Sequence, residues 1–199
     1  MREKYFCIAP SFLLPLFLLC IQSPPADALL FFAAILLHEA GHLFTLLCYG
    51  CRVKGVAFSF SGISLNLHDP YIPYKKEAKI FLAGPMAGLI GCFFAWICLR
   101  WHFTRWGMLF FSFNLLLSLF NLLPIRGLDG GEALFALLCH YGEEEGAKRA
   151  SDFIHRLALT FLLCAATWLF FVEKNCSLLL LTLLFAAKET KRKKATITS

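Results

Sequence analysis

The sequence is short of charged side chains. Asp, Glu, Lys and Arg make up 16% of its 199 residues, whereas they make up about 25% of a typical soluble domain. Apolar residue types make up 59% of the chain, above the roughly 45–50% of soluble proteins. A chain this short cannot bury so large an apolar share in its own core. The composition therefore excludes an ordinary soluble domain and favours a membrane protein.

The cysteine pattern lacks the regular spacing of a disulfide-stabilised secreted domain. The nine cysteines are an odd number and are scattered along the chain. Several of them lie inside apolar runs, where Cys packs as a small hydrophobic residue. The sequence also has no internal repeat and no low-complexity tract. These absences favour one membrane domain that covers residues 1–199.

Positive charge is concentrated in short clusters separated by long apolar runs. The net charge is +6. The clusters are Arg2 and Lys4; Arg52 and Lys54; Lys75, Lys76 and Lys79; Lys148 and Arg149; and Lys188 with 191–194. Basic clusters can bind nucleic acid, but apolar runs between them are typical of loops that flank membrane spans on the cytoplasmic side. The sequence therefore predicts a lipid bilayer as partner, and no nucleic acid.

Six apolar runs are candidates for membrane spans, since a spanning helix needs about 20 residues. They cover residues 5–21, 29–47, 78–99, 107–123, 153–172 and 176–187. With both termini in the cytoplasm, only Arg100, Arg105 and Lys174 of the 19 basic residues fall outside. This bias predicts a multi-pass protein with cytoplasmic N- and C-termini, in which runs two and four cross in the same direction.

The segment between runs two and three has a different pattern. In residues 56–67 apolar side chains alternate with small or polar ones, and Ser61 and Gly62 interrupt the alternation. A period of two is typical of strands. The predicted fold class is an α-helical polytopic membrane protein with about six transmembrane helices and a short membrane-associated β-hairpin between helices 2 and 3.

The second run contains the motif His38-Glu39-Ala40-Gly41-His42. Residues four apart share a helix face, so both imidazoles can reach one metal ion. Zinc accepts imidazole nitrogens and activates water, and a carboxylate beside it can act as general base. Ionisable residues inside a membrane are costly unless they are used. The motif therefore predicts a zinc site with Glu39 as the base.

A catalytic zinc site takes a third protein ligand. The candidates are His68, His102, His140, His155 and Asp129. His102 falls on the far side in the predicted topology. The other histidines lie in loops or at span ends, where we expect ordinary surface groups. Asp129 follows run four at a similar depth to the motif if the chain after Pro124 folds back. Asp beside Gly also suits a turn or a helix cap, and both interpretations remain open on the residues alone.

The two motifs together resemble the site-2 protease family of intramembrane metalloproteases, peptidase family M50. The matching residues are His-Glu-Ala-Gly-His at 38–42 and Asn-Leu-Leu-Pro-Ile-Arg-Gly-Leu-Asp-Gly-Gly at 121–131, with Ala-Gly-Pro at 83–85. The resemblance covers the core at residues 29–131, and the short form is most similar to the stage IV sporulation membrane protease branch. It implies zinc ligands His38, His42 and Asp129, the catalytic Glu39, and the site-shaping Asn121 and Pro124.

The resemblance further implies hydrolysis of peptide bonds in transmembrane or membrane-associated substrates, near the cytoplasmic face of a bacterial cell membrane. A membrane-tethered transcription factor or its anti-factor is one candidate substrate, and a regulatory membrane partner is compatible with the family. Arg126 and Gly127 depart from the family pattern, which often has a Pro there. We expect no PDZ or CBS domain in these 199 residues.

Two other functions remain as alternatives. A transporter would also place ionisable residues in its spans, but it would spread them over several helices and both faces, whereas here they concentrate in two motifs. A catalytically inactive zinc-binding scaffold would need the metal ligands without Glu39. The sequence therefore favours the enzyme.

Overall fold

A computed structural model describes residues 6–8, 24–51, 53–59, 62–67, 72–173 and 182. Over these residues the chain forms three strands and five helices. The strands are β1 (Phe6–Ile8), β2 (Val53–Ser59) and β3 (Gly62–Leu67). The helices are α1 (Pro25–Cys48), α2 (Tyr74–Trp101), α3 (Arg105–Asn121), α4 (Asp129–Tyr141) and α5 (Glu144–Glu173).

Helix α2 is the centre of the helical part, and it packs against α1, α3 and α4. Small residues on α2 allow this close approach. A Cβ atom added at Gly84 would overlap the ring of His42, and one added at Gly88 would overlap the hydroxyl of Ser118. Small residues at helical spacing are typical of helix contacts in membranes, where backbones pack closely. The helix continues through Pro85 without ending.

Helices α1 and α3 begin at the same end of the bundle. Arg105 in the first turn of α3 donates a hydrogen bond of 2.8 Å to Asp27 in the first turn of α1. The two helices also pack against each other. The second and fourth apolar runs therefore point in the same direction in the bundle, whereas their crossing of a membrane stays a prediction.

The outer faces of the helices are apolar. Phe44, Phe93, Phe161 and Phe171 each expose more than half of their surface. Large exposed apolar areas are rare on soluble proteins. This surface, with its long apolar helices, favours a membrane location.

The prediction of about six transmembrane helices is wrong. Within the described residues three helices are long and apolar enough to cross a membrane: α1, α2 and the part of α5 at Glu144–Val172. Helix α3 occupies the fourth apolar run, but its 17 residues extend roughly 26 Å, less than the about 30 Å of a hydrocarbon core. The sixth run, 176–187, lies outside the described residues except for residue 182.

The prediction of a short membrane-associated β-hairpin between the second and third helices is also corrected. Strands β2 and β3 pair antiparallel, with Val56 opposite Leu65, but β2 also pairs with β1 in parallel, with Cys7 opposite Ala57. The result is a three-stranded sheet in the order β1-β2-β3. An isolated two-stranded hairpin is only marginally stable and leaves two edges unpaired, so a third strand on β2 satisfies one of them. Residues 6–8 therefore form a strand where the sequence predicted the first span.

Candidate metal centre

Helix α1 brings two imidazoles onto one face. His38 and His42 are one turn apart, their ring centroids are 5.0 Å apart, and their Nε2 atoms are 3.3 Å apart. His38 is buried, with 4% of its surface exposed. Because residues four apart on a helix are neighbours, the spacing in the sequence is sufficient to produce this pair.

Asp129, the first residue of α4, completes the cluster. Its Oδ2 lies 3.0 Å from the Nε2 of His38 and 3.3 Å from the Nε2 of His42. The aspartate is 91 residues away from His38 in sequence, so the packing of α4 against α2 is what brings the carboxylate to α1. Three potential ligand atoms therefore converge on one point, and all lie within 4.8 Å of one another.

The cluster fits a zinc ion. Zinc binds imidazole nitrogen and carboxylate oxygen at about 2.0–2.2 Å in tetrahedral geometry, so its ligand atoms lie roughly 3.3–3.6 Å apart. The three separations here are 3.0, 3.3 and 3.3 Å. The donor set and its spacing thus match a site with three protein ligands, and small side-chain movements would complete the match.

The hydrogen bond that His42 makes to α2 determines which ring nitrogen has a lone pair available for a metal ion. Its Nδ1 lies 2.7 Å from the carbonyl oxygen of Ile80. A carbonyl oxygen can only accept, so Nδ1 carries the proton and the neutral ring presents a lone pair at Nε2. A second partner of this kind is usual for histidines that bind metals. The Nδ1 of His38 has no hydrogen-bond partner among the described residues.

The charge of Asp129 suits a cation. Burial acts to raise the pKa of its carboxyl, but the neighbouring imidazoles of His38 and His42 hold the pKa below its usual value. The residue is therefore an anion at neutral pH. Its negative charge and the two imidazole nitrogens face one another in a partly buried pocket, where a cation would be stabilised.

The other predicted site residues surround this cluster. Glu39 lies on α1 next to the histidines, is partly buried and interacts electrostatically with His42. Asn121 is the last residue of α3 and donates from Nδ2 to the carbonyl of Leu117 at 3.0 Å. Pro124 lies in the loop between α3 and α4. Their catalytic and site-shaping roles stay predictions.

The remaining histidines do not join the cluster. His102 follows the last residue of α2 and lines a separate apolar cavity of about 320 Å³ with Thr104, and His140 is exposed. His68 lies outside the described residues. The prediction that His155 is an ordinary surface group is wrong, because the residue is 5% exposed and its Nδ1 accepts a hydrogen bond from a backbone N–H.

Comparison with known proteins agrees with this geometry. The family model described as peptidase family M50 matches residues 98–165. Stage IV sporulation protein FB of Bacillus subtilis is 30% identical over 145 residues, which are 69% of this chain and 48% of that protein. A zinc metalloprotease of Methanocaldococcus jannaschii is 30% identical over 142 residues, 68% of this chain and 41% of that protein. Residues 98–165, which carry Asp129, therefore form a peptidase M50 region.

The fold is similar to that of a solved structure. The site-2 protease from Methanocaldococcus jannaschii superimposes with a TM-score of 0.65 at 22% sequence identity, over 93% of this chain and 89% of that one. At this identity the likeness defines the fold. The chain spans less than half the length of the two curated relatives.

The family match covers α3, α4 and most of α5, and so contains Asp129 and the loop before it. The sequence identified His38, His42 and Asp129, which the structure brings together. It did not identify the residues that contact them or the loop before Asp129: Ile80, Gly84 and Arg126 with its partners on α5. One signal was present, because His155 is an ionisable residue within the fifth apolar run, where such residues are costly unless they are used.

Proposed function

We propose that this chain is an intramembrane zinc metalloprotease that hydrolyses peptide bonds of membrane protein substrates. The observation that carries the proposal is the convergence of His38, His42 and Asp129 at 3.0–3.3 Å, from two helices far apart in sequence. The names of the relatives, which include zinc metalloproteases, support the same activity.

The residues of the site divide the chemistry between them. His38, His42 and Asp129 would hold the ion. When bound, zinc supplies a Lewis acid that polarises a peptide carbonyl and makes water a stronger nucleophile at neutral pH. Glu39 takes the proton from the attacking water and delivers it to the departing amine, as a general base and then a general acid. Asn121 and Pro124, at the end of α3 and in the following loop, shape the pocket.

The substrate class follows from where the site lies. His38 and His42 are in the second half of α1, an apolar helix with exposed Phe44 and Leu47 near the motif. A substrate that reaches this site from the bilayer is a transmembrane or membrane-associated protein. The excess of basic residues in the loops predicted to be inside supports cleavage near the cytoplasmic face. A membrane-tethered transcription factor or its anti-factor is the first class to test, and a regulatory membrane partner is compatible with the arrangement.

The decisive experiment separates metal binding from catalysis. Glu39→Gln keeps the size of the side chain and removes its basicity, so we expect cleavage of a co-expressed membrane substrate to fall by about 10²–10⁴-fold. Zinc content, measured on the purified protein, should stay at the wild-type level because Glu39 is not a ligand.

Glu145→Gln is the matched control, since Glu145 is exposed at the start of α5. This variant should cleave the substrate as the wild type does. Cleavage retained by Glu39→Gln would remove Glu39 from the mechanism. Wild-type protein without stoichiometric metal would contradict the proposed function as a whole.

A further inference from the structure

The loop that carries Asp129 is tied to α5. Residues 122–128 connect α3 to α4, and Asp129 follows directly. Two side chains of this loop, Ile125 and Leu128, are buried and pack against Ala158, Leu159 and Leu162 of α5. Helix α5 therefore forms one wall of the support for the loop, although it contributes no ligand to the metal cluster.

A buried histidine on α5 holds the loop backbone. The backbone N–H of Arg126 donates to the Nδ1 of His155 at 3.1 Å, and His155 is only 5% exposed. A hydrogen bond in a buried environment is costly to lose, because the donor left behind has no water to replace its partner. The path of the backbone at Arg126 is thus fixed by a side chain from another helix.

The side chain of Arg126 is held by two further contacts. Its Nη2 lies 3.1 Å from Oδ1 of Asp152, one turn before His155 on α5. Its guanidinium lies over the ring of Phe135 on α4, 5.3 Å from the centroid. The arginine side chain is 14% exposed, and it lies between Asp152 on α5 and Phe135 on α4.

The next residue is held as well. Gly127 has a φ of 88°, a conformation that favours glycine, and its N–H donates to Oε1 of Glu132 at 2.9 Å. Asp129 comes two residues later. Small movements of Arg126 or Gly127 would therefore be passed directly to the carboxylate, whose distance to the two imidazoles must be right within a few tenths of an ångström.

We propose that His155 and Asp152 on α5 are positioning residues that set the place of the Asp129 carboxylate in the metal site, by holding the backbone and side chain of Arg126. This inference rests on the proposed function, since it assumes that the cluster binds metal. Helix α5 would then help to position a ligand, although it supplies no ligand itself.

The test compares metal affinity in full-length, detergent-solubilised protein with Co²⁺ as the probe. His155→Leu removes the acceptor for Arg126, whereas His155→Asn keeps an acceptor, Oδ1, close to where Nδ1 was. Asp152→Asn keeps the size of the side chain and removes its charge. Thr160→Ala is the control, because Thr160 lies on α5, is exposed and bonds only to its own helix at Arg156.

We expect His155→Leu to weaken Co²⁺ binding by about tenfold or more, as changes in the supporting shell of metal sites usually do. Its visible absorption spectrum should shift, because a loosened Asp129 changes the ligand geometry. His155→Asn should recover most of the affinity, and Asp152→Asn should lie between His155→Leu and the wild type. The control should match the wild type in affinity and spectrum.

Two results would overturn the inference. One is wild-type affinity and spectrum in both His155→Leu and Asp152→Asn. The other is a loss in all α5 variants, Thr160→Ala included, that follows only their melting temperatures, which would mean general destabilisation. These outcomes would not contradict the proposed function. Wild-type protein that binds no Co²⁺ would contradict both the proposed function and this inference.

Discussion

At the scale of single residues, His42 is constrained on both sides of its ring. Its Nδ1 is bonded to the Ile80 carbonyl, and its Nε2 faces His38 and Asp129. The ring fits because Gly84, one helical turn after Ile80, has no side chain at the point where the ring approaches α2. The glycine is therefore as necessary to the position of the ligand as the hydrogen bond is.

Replacement of Gly84 should damage the site without unfolding the protein. In Gly84→Ala the new Cβ would overlap the His42 ring, so the ring must move away from the cluster. Overpacking of this kind costs about 1–3 kcal/mol, and about 1.4 kcal/mol corresponds to a tenfold change in affinity. We expect zinc affinity to fall about tenfold or more, measured by competition with a chelator.

Gly146→Ala is the control for this prediction, because a Cβ at Gly146 meets no atom within 4 Å. It should bind zinc as the wild type does. Unchanged affinity in Gly84→Ala would mean that the His42 ring is placed by other contacts.

The residues of the site could be predicted from the sequence only where their function requires a fixed spacing along the chain. The spacing of His38 and His42 on a helix is such a pattern, and the structure brings Asp129 to them. The bond from His42 to Ile80 has no such signal, since any residue supplies a carbonyl. His155 was misjudged because the fifth run was taken to begin at 153, whereas α5 begins at Glu144 and buries His155 at the start of its fourth turn.

At the scale of elements, α2 and α3 meet at a tight contact between a glycine and a serine. A Cβ on Gly88 would overlap the Oγ of Ser118, while the Cβ of Ser118 is 3.6 Å away, at ordinary contact distance. Ser118 is fully buried and its hydroxyl has no hydrogen-bond partner in the described part of the chain. At this point of their contact, the closest approach of the two helices is an oxygen atom facing a bare backbone.

A double-mutant cycle tests this contact. Gly88→Ala alone should destabilise the protein by about 1–3 kcal/mol through overpacking. Ser118→Ala removes the oxygen, so the combined variant should recover most of the loss and give a clear coupling energy. Thermal melting in detergent would measure both. Additive effects of the two substitutions would show that the helices do not meet at this pair.

Four of the five helices could be predicted, because α1, α2, α3 and α5 each coincide with a long apolar run. Helix α4 was missed, since its buried positions are small residues such as Gly131, Ala133 and Ala136, which carry little hydrophobic signal. Strand β1 could not be predicted either. Its apolar residues suit a helix as well as a strand, and its partner β2 lies far along the chain.

At the scale of the whole molecule, the metal cluster joins elements that are distant in sequence. Its ligands come from α1 and α4, α2 orients one of them, and α5 holds the loop before α4. A ligand that binds only the folded state stabilises it by mass action, by about 2.7 kcal/mol at a concentration 100 times its Kd. Zinc should therefore stabilise the assembly of four helices.

Zinc removal should consequently lower the melting temperature of the wild type, and added zinc should restore it. Asp129→Ala should melt at the same temperature with and without chelator, because two imidazoles alone hold the ion weakly. His140→Ala, at an exposed position on α4, should keep the full zinc-dependent shift. An equal shift in Asp129→Ala would mean that zinc binds elsewhere.

The atom that orients His42 belongs to the main chain at Ile80, and this protects it from substitution. Any amino acid at that position would bring the same oxygen, so an alanine scan would pass over Ile80 and record at most the loss of its buried side chain. The orienting atom can be withdrawn only by altering the course of α2 itself. Part of the geometry of the site is thus encoded in the path of a helix, and replacing the side chain at position 80 would not reveal it.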